Sequence, residues 1–133
     1  MAQRQTRVDL DPQERRVLAY GLGEWLGPAR PTEELAVAMG FAGIADLNSE
    51  VLRLNRAILA DEPLSPLDWV RALLATEIVF ISDMVGSGRD WQITVGIPDD
   101  VTVEALRRVQ DKILPMRDKV IGREFGTLGN RHD

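Results

Sequence analysis

One acidic residue, Glu77, interrupts an otherwise apolar stretch and is the strongest candidate for chemistry in the sequence. In a helix over residues 66–85 it lies about 150° from the polar stripe of Asp68, Arg71 and Ser82, so its carboxylate is predicted to point into the core. A buried carboxylate must be hydrogen-bonded, paired or protonated. Glu77 could therefore act as a general base or contact a ligand in a pocket.

Glu77 also has a purely structural interpretation, namely an ion pair with an arginine from a neighbouring helix. Arg53, Arg56 and Arg107 are the candidate partners. No second catalytic group accompanies the glutamate, and a core glutamate without one is more often structural. On this interpretation, Glu77→Gln should destabilise the fold by about 1–3 kcal/mol, the cost of damaging a buried polar pair.

Other motifs give weaker indications of chemistry. The run Gly86-Ser87-Gly88-Arg89 has the composition of a phosphate loop, but it follows a helix C-terminus instead of opening a helix. A sharp turn is the better prediction. Adjacent acid pairs recur along the chain, yet two of them fall at predicted helix starts, where capping explains them. The sequence predicts no metal site, no catalytic residues and no cofactor.

Composition removes several classes of chemistry. There is no cysteine, which excludes disulfides, thiolate metal sites and cysteine nucleophiles. The single histidine is His132, near the end of the sequence, which argues against a catalytic triad. The net charge of −5 disfavours nucleic acid as a partner and suits a basic protein. With no apolar leader and no spanning stretch, a cytoplasmic protein that avoids membranes is expected.

Apolar spacing and capping residues predict the elements that carry these groups. Asp11, Thr32 and Ser65 are the predicted helix caps, and Pro115 predicts a kink or break near Leu114 in the last helix. Aliphatic residues recur every three or four positions in four segments, and aromatic residues are only 5% of the chain. The prediction is an all-α fold, a small orthogonal bundle of four to five helices around a central apolar helix at about 66–85. Residues 1–133 should form one domain, with 1–9 and 122–133 as flexible tails, and residues 91–97 should be a strand or an extended connection.

The blocks RPTEELAVAMGF (30–41), RALLATEIVFISDMVGSGRDW (71–91) and the acid-capped LRRVQDKI helix (99–113) resemble small actinobacterial proteins of unknown function. The resemblance covers about residues 15–115. It implies a bacterial cytosolic protein and no particular activity.

A connection after the apolar helix is the predicted contact surface. Trp91 follows the Gly-rich turn and is expected to be exposed as a partner anchor, with Arg89 and Ile93 beside it. The leading interpretation is a non-enzymatic regulatory protein that binds another protein, in the manner of an adaptor, antagonist or immunity protein; self-association is also open. The second is a small helix-turn-helix-like DNA-binding regulator using residues 32–56. The third is a small-ligand binder or enzyme with a pocket around Glu77.

Overall fold

The computed structural model describes residues 4–120, and within them the α-helices pack into a small bundle that contains no β-strand. The all-α fold expected from the sequence is therefore confirmed. The helices are α1 (Pro12–Glu24), α2 (Glu33–Ala38), α3 (Ile44–Leu59), α4 (Pro66–Ile81), α5 (Trp91–Thr94) and α6 (Asp99–Val120), and a 3-10 turn (Gly88–Asp90) leads into α5.

Local side-chain caps determine where three of these helices begin. The Asp11 carboxylate accepts a hydrogen bond from the Glu14 backbone N–H at 2.7 Å, and the Glu14 carboxylate accepts from the Asp11 N–H at 2.9 Å. This is a reciprocal capping box. The hydroxyls of Thr32 and Ser65 each accept from the backbone N–H three residues ahead, which starts α2 and α4. These starts follow from short sequence signals and were predicted from them.

The centre of the bundle is shared by α1 and α4. Helix α1 packs against α3, α4 and α6, while α4 packs against α1, α3, α6 and the 3-10 turn. The two central helices cross closely, since a Cβ atom placed on Gly21 would lie 2.6 Å from the Thr76 side chain. The sequence predicted one central apolar helix at about 66–85. Helix α4 ends earlier, at Ile81, and shares the centre of the bundle with α1.

The polar stripe of α4 is buried against α3. Arg71 Nη2 donates to the Asp68 carboxylate at 2.5 Å and to the Glu50 carboxylate at 2.8 Å, and the Arg71 guanidinium lies 4.8 Å from the centre of the Phe41 ring. Asp68 and Arg71 are 6% and 7% exposed. The charges of Asp68 and Arg71 are therefore neutralised inside the fold. Helix α4 is buried on this polar side as well as on its apolar side.

The segment before α1 is packed onto the bundle. Thr6 and Leu64 exchange backbone hydrogen bonds at 2.7 and 3.0 Å, and the Trp69 indole N–H donates to the Thr6 carbonyl at 2.8 Å. Val8 is buried. These contacts lie within the segment 1–9 that was predicted to be a flexible tail, and from Thr6 onward they place its backbone against the bundle. The tail predicted at 122–133 lies outside the described residues.

A buried carboxylate joins α1 to α6. The Glu14 side chain is 1% exposed and accepts hydrogen bonds from Lys112 Nζ at 2.6 Å and Arg108 Nε at 2.8 Å. Burial opposes ionisation of Glu14, but the hydrogen bonds from Lys112, the Asp11 backbone and Arg108 outweigh it and lower the pKa. Helix α6 continues past Pro115 to Val120, so of the kink or break expected near Leu114 the break does not occur.

Candidate functional site

Three apolar side chains near the end of α4 are far more exposed than the other large apolar side chains of the described residues. Ile81, Met84 and Ile93 are 74%, 88% and 86% exposed, whereas none of the others exceeds 51%. All three belong to residues 81–93, called the tip segment here. Concentrated exposure of large apolar side chains is typical of a surface that a partner covers.

Hydrogen bonds hold the first half of the tip segment in a defined turn. The Ser82 hydroxyl accepts from the backbone N–H groups of Met84 and Val85, both at 3.2 Å. The Asp83 carboxylate accepts from the Arg89 backbone N–H and from Arg89 Nε, both at 2.7 Å. The hydrogen bond from the Arg89 backbone lowers the pKa of Asp83, with a further contribution from the Arg89 charge.

Two glycines allow this turn to fold back on α4. A Cβ atom on Gly86 would lie 2.5 Å from the Val79 backbone, which leaves no room for a larger residue. Gly88 has a φ of +48°, and a Cβ atom there would lie 2.8 Å from the Asp83 backbone. The glycines predicted as a sharp turn therefore serve that purpose, and the loop shape depends on them.

Trp91 is buried, which corrects the prediction that it is an exposed partner anchor. Its exposure is 0%, its indole N–H donates to the Thr102 hydroxyl at 2.8 Å, and its ring meets Phe80 edge-on at 5.3 Å. Residues 88–94 form the 3-10 turn and α5, not the strand or extended connection that was expected. This helical geometry turns the indole inward, so Trp91 anchors the tip segment to the core.

The other two predicted contact residues are on the surface. The Arg89 side chain is 90% exposed and forms its ion pair with Asp83, and Ile93 projects from α5. Sequence reasoning missed Ile81 and Met84, which were assigned to the apolar circumference of a longer α4. The signal that could have placed them is the Ser82-Asp83 pair, whose side chains favour helix ends and turns over helix interiors.

Carboxylates outnumber cations around the tip segment. Asp90 in the 3-10 turn and Asp99 and Asp100 at the start of α6 are all exposed. The Asp99 N–H donates to the side-chain oxygen of Gln92 at 2.6 Å, which holds the start of α6 beside α5. Between residues 81 and 100 the chain has four carboxylates and one guanidinium, so this stretch of the sequence carries a net negative charge.

Glu77 is half-buried between α4 and α6, where its carboxylate accepts a hydrogen bond from Gln110 Nε2 at 2.6 Å. Burial raises the pKa of Glu77, against the lowering effects of the Gln110 hydrogen bond and the Arg107 charge. The predicted ion pair with arginine is absent among the described residues: Arg53 pairs with Glu50 and Asp68, and Arg107 donates to Gln110.

The segment proposed for DNA binding, residues 32–56, forms α2, a turn at Gly40 and most of α3. The Asp46 carboxylate accepts from the Ala42 N–H at 2.9 Å, which makes it a local turn residue. Arg53 is neutralised by Glu50 and Asp68. The geometry therefore adds no basic surface to this alternative.

Residues 4–120 contain no group of three or more acidic or histidine side chains that could hold a metal ion. None of the helices described there is long and apolar enough to cross a bilayer. No protein-family model, curated protein or solved structure matches this chain. The resemblance to small actinobacterial proteins thus stays a prediction.

Proposed function

We propose that this protein is a non-enzymatic binding module whose tip segment inserts Ile81, Met84 and Ile93 into an apolar pocket of another protein. The observation that carries this proposal is the exposure of these three side chains, at 74–88%. Each of them would gain about 1.5–3 kcal/mol on full burial, so their desolvation is the main source of affinity.

The anchoring of the tip segment supports this role. Trp91 is fixed by Thr102 and Phe80, and Arg89 is tied to Asp83. A surface that is already ordered loses less conformational entropy on binding than a flexible loop does. Trp91 therefore contributes to recognition indirectly, by holding the exposed side chains in place.

The charge of the tip segment supports a basic partner. Asp90 lies in the tip segment and Asp99 and Asp100 follow shortly after it, all three are exposed, and the whole chain carries a net charge of −5. A partner with Lys or Arg around its pocket would be attracted during encounter, whereas a second copy of this acidic chain would be repelled at the same surface. A role as an adaptor, antagonist or immunity-type protein is compatible with this chemistry. A bacterial, cytoplasmic setting remains a sequence-based prediction.

The proposal is tested by affinity capture from the organism that encodes the chain, with nuclease-treated and untreated lysates. The tip variant Met84→Ser/Ile93→Ser is compared with Leu59→Ser, which alters an apolar side chain that is 51% exposed on α3. We expect one protein to be retained in near-stoichiometric amount by the wild type and by Leu59→Ser. The tip variant should retain at least about ten-fold less, as is typical when central apolar contacts are lost.

Three outcomes contradict the proposal. The captured protein could be retained equally by the tip variant, or capture could disappear on nuclease treatment, which would favour the DNA-binding alternative. The third is self-association: sedimentation equilibrium would show a dimer that the tip variant dissociates. The melting midpoints of both variants should match the wild type, because the altered side chains are exposed.

A further inference from the structure

An apolar groove of about 320 Å³ runs between α4 and α6, away from the tip segment. This volume is at the lower end of the range for small-ligand sites, which are roughly 300–1,000 Å³ and mostly apolar. Five aliphatic side chains form its apolar surface: Val70, Leu73, Leu74, Ile113 and Leu114. Leu114 is 50% exposed, so part of this surface faces water in the unliganded protein.

Two guanidinium groups flank the groove. Arg107, Gln110, Leu114 and Arg117 follow one another at spacings of three and four residues, so they form a single stripe along α6. The two arginines are ten residues apart, which corresponds to about 15 Å along the helix axis. Both arginines line the groove, and no carboxylate is among its lining residues.

The two ends of the groove differ in charge. At one end, Arg107 donates to Gln110, which in turn donates to the Glu77 carboxylate, so a negative charge lies close to this arginine. At the other end, the ion pair that Arg117 forms within residues 4–120 is with Asp118, at 3.2 Å, and the Asp118 side chain is 92% exposed. An exposed pair of this kind is weak and is readily exchanged for another anion.

From this arrangement we propose that the groove binds a small aliphatic monoanion, with its carbon chain on Leu73, Leu74 and Leu114 and its carboxylate at Arg117. The apolar surface gives affinity for the chain, and the guanidinium accepts the planar carboxylate through paired N–H donors. The Glu77 carboxylate disfavours the reverse orientation, in which the anion would lie near Arg107. This site is separate from the tip segment and does not depend on the proposed protein partner.

The test uses decanoate as the probe, below its micelle concentration, because its chain is aliphatic and unbranched and ends in a single carboxylate. Binding is measured by isothermal titration calorimetry, and two-dimensional amide NMR locates the site. Decan-1-ol and decyltrimethylammonium share the chain and replace the anion with a neutral or positive group. We expect decanoate to bind most tightly and to shift the amide signals of residues 70–74 and 113–117.

Four variants identify which groups recognise the probe. Arg117→Gln should weaken decanoate binding about five-fold, the equivalent of one exposed ion pair, and leave decan-1-ol binding unchanged. Arg107→Gln should have a smaller effect, because Glu77 already offsets that charge. Leu114→Ser should weaken both ligands. Arg56→Gln, an exposed arginine on α3 outside the groove, is the matched control and should change neither.

The proposal is overturned if decanoate does not bind the wild-type protein. It is also overturned if decyltrimethylammonium binds as tightly as decanoate, since the guanidinium groups would then not select the ligand. An effect of Arg56→Gln as large as that of Arg117→Gln would show non-specific attraction of anions. Amide shifts confined to residues outside the groove would place the site elsewhere.

Discussion

At the scale of single residues, Glu14 is the most demanding group in the fold, because its carboxylate is buried but remains ionised. We expect Glu14→Gln to lower the free energy of unfolding by about 1–3 kcal/mol, since Lys112 and Arg108 lose their anion while remaining partly hydrated. Glutamine retains the capping hydrogen bond to Asp11, so the loss reports the charge. Urea unfolding at pH 7 measures it, with the exposed Glu104→Gln as the control.

The lowered pKa of Glu14 also predicts how stability depends on pH. The unfolded chain binds a proton near pH 4.5 and the folded chain only at lower pH, so the contribution is present above about 4.5 and is lost as the pH falls below it. Glu50, whose pKa is lowered chiefly by its hydrogen bond with Arg53, acts in the same direction. The acid loss of stability should be shallower in Glu14→Gln than in the wild type; identical slopes would exclude this assignment.

Glu77 should affect the pH dependence of stability in the opposite direction to Glu14. Its pKa is raised by burial, so the folded state binds a proton more tightly than the unfolded chain does, and the resulting stability contribution is lost as the pH rises from about 4.5 through the folded pKa. At pH 7, Glu77→Gln should be as stable as the wild type or more stable, because an amide oxygen can still accept from Gln110. The 1–3 kcal/mol loss expected from the sequence assumed an arginine ion pair. Thermal unfolding at pH 4 and 7 measures the change, with Glu34→Gln on α2 as the charge control; a clear loss at pH 7 would contradict it.

Trp91 is the buried residue that anchors the tip segment to the core. Trp91→Ala should lower the free energy of unfolding by about 3–5 kcal/mol, because it leaves a large core cavity and removes the partner of Thr102. Ile93→Ala, two residues away, should change it by less than about 0.5 kcal/mol, because that side chain is 86% exposed. Chemical denaturation measures both. Equal effects would mean that the indole is not in the core.

At the scale of elements, the shape of the tip segment depends on glycine. Replacing glycine by alanine should therefore lower the stability of the protein at one site in this segment and raise it at another site in α1. Gly86→Ala should destabilise the protein by about 1–3 kcal/mol, because its Cβ would lie 2.5 Å from the Val79 backbone. Gly23→Ala, in α1 with no neighbour within 4 Å of the added Cβ, should stabilise it by about 0.5–1 kcal/mol. Thermal unfolding of the two variants measures both signs, and a stabilising Gly86→Ala would remove the proposed constraint.

Some features of the helices could be predicted from the sequence, and others could not. The starts of α1, α2 and α4 depend on caps within three residues, and these were predicted correctly. Residues 91–94 are β-rich in composition, but burial of the Trp91 indole favours a helical turn there, which is a tertiary effect that local propensity does not contain. Likewise, the partner of Glu77 depends on how α6 aligns with α4. Periodicity identifies the inward side of a helix, but it does not identify which residue of a neighbouring helix contacts that side.

At the scale of the whole molecule, α4 connects two surfaces of different chemistry. Its first half lines the groove, and its last residue, Ile81, begins the tip segment. Leu74 and Ile81 are seven residues apart, about 10 Å along the axis. Between them α4 packs on α1, where the Thr76 side chain lies against Gly21. Substitutions at that distance without shared partners are usually additive. The two surfaces should therefore act independently.

This independence can be measured directly. Met84→Ser/Ile93→Ser should lower partner capture at least about ten-fold and leave decanoate affinity within about two-fold of the wild type. Arg117→Gln should weaken decanoate binding about five-fold and leave partner capture unchanged. The combined variant should show both losses with no further fall in stability. If decanoate instead changed partner capture in the wild type, the two surfaces would be coupled through α4, and by linkage the partner would have to change decanoate affinity by the same factor. Calorimetry with and without the partner distinguishes these cases.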